Sequence, residues 1–168
     1  MMIVLRLVHI LTGVFWAGTV FFFASFLLPS MRDAGPAAGA ITKQLIAVRK
    51  YPRVILTIAI LTVLSGFALY GLDVSLSNGA FARSRPGMVF GLGGLAATLT
   101  IFIGFIIMTP TANKMAALGA AIQASGQPPT PEQAAEQGRL QKRMGMGTQM
   151  GAALLFVAVV CMAIGRYV

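Results

Sequence analysis

The chain predicts an all-α integral membrane protein, a bundle of four transmembrane helices. Three observations carry this. Hydrophobic residues make up 57% of the 168 residues and charged residues only 10%, under half of the roughly 25% usual in soluble domains. Four apolar runs, approximately Val4–Leu28, Val54–Leu72, Gly87–Thr109 and Gly147–Gly165, are long enough to cross a hydrocarbon core, which takes about 20 residues for about 30 Å. All four acids, Asp33, Asp73, Glu132 and Glu136, fall outside those runs. A lone span in lipid must satisfy its own backbone polar groups, so each run is a helix. Residues 1–168 then form a single membrane domain.

The first run lies within the stretch from Leu5 to Arg32, LRLVHILTGVFWAGTVFFFASFLLPSMR. It is too long for the apolar region of a signal peptide, and no small-x-small cleavage site precedes Pro29, so it reads as a retained span. Residues 73–86 form a short polar loop with an Asn-Gly turn signal. The connections 30–53 and 110–146 are longer and more basic. Arg32, Lys43, Arg49, Lys50 and Arg53 lie in the first, and Lys114, Arg139, Lys142 and Arg143 in the second. The opposite side carries only Arg6, Arg83, Arg85 and Arg166. Nine basic residues against four put the long connections in the cytoplasm and both termini outside.

Both long connections are predicted to contain helix. In the first, Ile41, Leu45 and Val48 share a face opposite Lys43 and Lys50, an amphipathic pattern suited to the membrane interface. In the second, helix continues after Pro110 and breaks at Gly126-Gln-Pro-Pro. Thr130-Pro131-Glu132-Gln133 then starts a new one, with Thr130 as N-cap, Pro131 at the first helical position and Gln133 closing a capping box. The last helix is predicted to run from 131 to about 166.

A weak internal repeat is visible. The first span ends FLLPSMR and the third IIMTPTANK, and Arg49-Lys50 before the second span correspond to Lys142-Arg143 before the fourth. Spans one and three, and two and four, then run the same way, as a parallel two-hairpin repeat. Aligning Pro29 with Pro110 sets His9 over Phe90 and Gly13 over Gly94. Chemistry then belongs to one half only.

His9 is the sole histidine and Trp16 the sole tryptophan. At about 100° per residue, Arg6, His9, Gly13 and Trp16 form one stripe. An ionisable ring inside a membrane span is a functional candidate. This stripe suits haem b, with imidazole on iron, Arg6 near a propionate and Gly13 leaving room for the macrocycle. The same residues also fit plain packing, with His9 hydrogen-bonded across the bundle. One histidine per chain leaves three forms of ligation: a five-coordinate iron, a methionine as second ligand, or a dimer supplying two copies of His9.

Ten methionines add a copper reading. Met144, Met146 and Met150 cluster before and within the last span, and thioethers are soft ligands for Cu(I), although methionine also fills apolar gaps. Gly147 and Gly151 form a GxxxG, and Gly13 and Ala17 a small-xxx-small pair; these allow tight helix crossing or a homodimer. Cys161 is alone, so no intramolecular disulfide forms. The net charge of +9 reads as topology signals and contacts to anionic headgroups of the lipid bilayer, not nucleic acid, because no aromatic-plus-basic module or zinc pattern is present. No phosphate-cradling loop and no HExxH occurs, and the lack of intramembrane carboxylates removes a carboxylate proton relay.

His9, followed after six residues by Trp16-Ala17-Gly18, an aromatic run and Pro29, resembles small bacterial inner-membrane proteins. They include the CopD-like copper-resistance domains, four-helix families of unknown function and, more distantly, the HemJ-type protoporphyrinogen oxidases. Pro110 to Lys114 and the segment Arg32 to Pro36 are most similar to the uncharacterised relatives. The resemblance to HemJ-type enzymes implies haem binding at His9, although no lysine lies within a span here. The resemblance to the CopD-like group implies copper handling or tolerance. Three functions follow as expectations: a haem- or metal-associated redox protein using His9, copper handling through methionines, and a non-catalytic subunit or scaffold in a membrane complex.

Overall fold

A computed structural model of the chain describes residues 2–35 and 38–168. Four long helices dominate: α1 (Met2–Asp33), α2 (Tyr51–Leu76), α3 (Arg85–Ser125) and α4 (Pro131–Tyr167), each long and apolar enough to cross a membrane. No strand occurs among the described residues. This is the all-α membrane bundle that composition and run length predict. α1 packs along α2, and α3 along α4; contacts between the two hairpins are sparser.

The packing is inverted relative to a soluble protein. The buried core cluster holds Trp16 and Leu155 with Ala59, Ala96, Ala97 and Ala158, whereas Leu7, Leu11, Phe26, Leu64, Phe102 and Phe156 are exposed. Such a surface is stable only against lipid, and small residues inside let helix backbones approach closely. The GxxxG is used for this within the chain. A Cβ on Gly147 would stand 3.2 Å from the Ile107 side chain, and one on Gly151 3.4 Å from that of Thr100. Both glycines face α3, so a second copy docking there would find the surface already covered.

α1 and α3 share a further feature. Each widens into a π-helical turn, Phe23–Leu27 and Gly104–Met108, directly before a helical turn carrying Pro29 or Pro110. Proline offers no N–H, and its ring crowds the carbonyl four residues earlier. A wider turn relieves that crowding without ending the helix. Accordingly Leu28 N–H bonds the Phe23 carbonyl and Thr109 N–H that of Gly104. The two turns occupy equivalent positions of the repeat.

The connections are more helical than the sequence suggests. Residues 73–86 are not one loop: α2 continues to Leu76, a short helix covers Ala80–Arg83, and α3 starts at Arg85. The turn shrinks to 77–79, where Asn78 and Gly79 have φ of 51° and 86°, as an Asn-Gly turn requires. Residues Ala38–Lys43 and Gln44–Val48 are helical, and Ile41 and Val48 are exposed. Pro36 and the Lys43 side chain lie outside the described residues. α4 begins with the predicted capping box of Thr130 and Gln133.

Candidate cofactor cavity

The first hairpin is joined by a short run of polar contacts at the end of the bundle that bears both termini. His9 Nδ1 lies 2.8 Å from the Thr62 carbonyl oxygen. A carbonyl only accepts, so in the neutral ring Nδ1 carries the proton and Nε2 is the bare nitrogen. The Thr62 hydroxyl donates to Thr12 Oγ1 at 2.8 Å, and Thr12 donates in turn to the Val8 carbonyl at 2.6 Å. The Ser65 hydroxyl stands 3.5 Å from His9 Nδ1. Gly66 makes this geometry possible, because a Cβ there would come within 2.8 Å of His9 Cε1 and 3.1 Å of Nδ1. The imidazole therefore lies directly against α2.

Beyond the ring is a cavity of about 570 Å³ between the two hairpins, within the range of about 300–1,000 Å³ typical of ligand sites. The first hairpin supplies His9, Thr62 and Gly66 to its wall. The second supplies Phe90, Gly91, Gly94, Ala97 and Met162. On the α3 side, Gly94 faces open space, whereas Gly91 faces the Tyr70 hydroxyl, which would stand 3.5 Å from a Cβ there. Tyr70 and Phe81 meet edge-to-face with centroids 5.6 Å apart, and Phe81 stacks on Phe90 at 6.3 Å, so the wall between α2 and α3 is aromatic. The short helix that carries Phe81 lies against Gly87, whose missing side chain makes way for the Phe81 carbonyl.

Charge gathers at the rim. Arg6, Asp73 and Arg166 all border the cavity, and both arginines are exposed. Among the described residues the one ion pair is Arg139–Glu136, far along α4, so Arg6 and Arg166 remain free for an anion. His9 Nε2 has no hydrogen-bond partner among the described residues. The cavity is thus an apolar slot lined by an imidazole, with two guanidinium groups and the Asp73 carboxylate at its mouth.

The predicted site residues separate accordingly. His9 and Arg6 border the cavity; Gly13 and Trp16 do not. Gly13 faces the Thr62 methyl, 3.4 Å from where a Cβ would sit, so it brings α1 close to α2 and does not make room for a ligand. Trp16 is 4% exposed in the core below the cavity. Met144, Met146 and Met150 are not gathered into one site. Met146 and Met150 are 58% and 52% exposed, on the side of α4 away from the buried Gly145, Gly147 and Thr148, and Met144 is half-buried on another face.

Thr62, Gly66, Tyr70, Asp73 and Met162 are among the site residues that sequence reasoning missed. The first four fall at spacings of three and four on α2, a polar stripe within an apolar span, and that periodicity was the available signal. Met162 had none, since methionine in an apolar helix is commonplace. Comparison with protein-family models, curated proteins and solved structures finds no match to this chain. What the fold and cavity define is a class: a four-span membrane bundle with a ligand-sized slot between its hairpins at the terminal end.

Proposed function

We propose that the protein binds one haem b between its hairpins, with His9 Nε2 as the iron ligand, in a redox role on the outer side of a bacterial inner membrane. One observation carries this reading: the His9 Nδ1 proton is given to the Thr62 carbonyl, which leaves Nε2 bare on a residue that lines an apolar cavity. Metal-ligating histidines characteristically donate their other nitrogen to a backbone carbonyl or carboxylate, and this fixes the tautomer and raises ligand basicity.

The remaining residues support the same group. Gly66 seats the ring, Gly94 leaves open space for a planar macrocycle, and Arg6 and Arg166 suit carboxylates at the rim. Haem supplies one-electron chemistry at its iron when bound. The charge bias of the connections favours the outer side for this end. A single haem there leaves most of the roughly 30 Å hydrocarbon core uncrossed. Its role is electron exchange with a partner on that side, and a wire across the membrane is not required.

The test is a visible spectrum of detergent-purified protein after haem supplementation. Wild type should show a Soret band that His9→Ala loses while keeping its helical circular dichroism. A colourless wild type, or an unchanged band in the variant, would sink the reading.

A further inference from the structure

We propose that Met162 is the second axial ligand, so that the iron is held between His9 of one hairpin and Met162 of the other. This rests on the haem reading above. The tight helix pairs are α1 with α2 and α3 with α4, and the cavity lies between them. Each hairpin contributes residues to the wall of that slot. The first hairpin contributes His9, whose Nε2 has no hydrogen-bond partner among the described residues.

On the second hairpin, the cavity residues are Phe90, Gly91, Gly94, Ala97, Met162 and Arg166. Phenylalanine, glycine and alanine side chains hold no donor atom, and the guanidinium carries no free lone pair at any accessible pH. Met162 is the one side chain of that wall with an atom able to bind iron. Thioether sulfur is a recognised haem ligand opposite histidine, and the pairing raises the reduction potential relative to purely nitrogen ligation. Its neighbours favour a fixed position. Gly93 lies beneath the Met162 methyl, where a Cβ would come within 3.1 Å of Cε, and Cys161 beside it is buried. The chain has a single histidine, so this arrangement gives six-coordination inside one chain without a second copy.

Haem-loaded wild type, Met162→Leu and Met88→Leu should be compared by absorption, electron paramagnetic resonance and redox titration. Leucine approximates methionine in volume, so the bundle should keep its packing, and Met88 is an exposed methionine outside the cavity. The expected result is low-spin iron in wild type and Met88→Leu. Met162→Leu should retain a Soret band through His9, turn high-spin, bind added cyanide faster and lose reduction potential. A wild type that is already high-spin, or a Met162→Leu variant that stays low-spin at unchanged potential, overturns the assignment while leaving His9 ligation standing. Absence of any Soret band in wild type overturns both.

Discussion

The two hairpins share a backbone plan and fill equivalent places differently. In each, the first helix carries a π-helical turn ahead of a proline, and an aromatic-sized ring near its start lies on a glycine of the next helix. In the first hairpin the pair is His9 on Gly66; in the second it is Phe90 on Gly165, where a Cβ would come within 2.8 Å of the phenyl ring. Deeper in the interface, α1 and α2 meet through Thr12, Thr62 and Ser65, and α3 and α4 through Gly93 and Cys161. One hairpin orients a polar ring and the other packs tightly. The difference teaches that the repeat supplies a shape, and that a polar ladder on one side turns the shape into a site.

The sharpest way to break this comparison is to exchange the two rings. His9→Phe should abolish haem binding, and adding Phe90→His should not recover it in the double variant, because position 90 offers the glycine seat without the Thr12, Thr62 and Ser65 contacts that orient His9. Soret absorbance per chain measures both. Recovery of binding in the double variant would show that the glycine seat, and not the polar ladder of the first hairpin, decides where the ligand sits.

The glycines should then separate the two hairpins. Gly66→Ala displaces the His9 ring, and orienting contacts of this kind are worth about 10–100-fold in metal affinity; haem titration should show a loss of that order with little change in melting temperature. Gly93→Ala meets Cys161 Cβ at 2.9 Å and the Ala158 carbonyl at 3.3 Å, neither of which can swing away. Overpacking of this kind costs about 1–3 kcal/mol, read as a lower melting temperature in detergent. Equal effects of the two variants on both readouts would erase the distinction. The smallest effects belong to the rim. Arg6→Gln and Arg166→Gln remove exposed charges, worth about 0.2–1 kcal/mol each, so each should weaken haem binding up to fivefold, and less at high salt.

Much of the fold was legible because membrane spans are set by length and composition, both of which are local or countable. The Thr130 capping box was legible for the same reason, since its partners lie three residues apart. The site was only half legible. Arg6, His9, Gly13 and Trp16 do lie on one stripe, but a stripe names a face and not a depth. At about 1.5 Å per residue, Trp16 sits about 10 Å below His9 and reaches the core under the cavity. Gly66 and Met162 come from other helices, and their sharing a cavity with His9 depends on how the hairpins rotate and pair. No spacing within one span encodes that.

The central claim is that His9 Nε2 is the ligand, and imidazole rescue tests it most directly. His9→Gly opens the ring's seat above Gly66 while leaving both hairpins in place. Haem titrations of this variant with and without added imidazole should show no Soret band without it and a band approaching wild type with it. A variant that binds haem equally well without imidazole, or that stays colourless at saturating imidazole while wild type binds, would contradict the account.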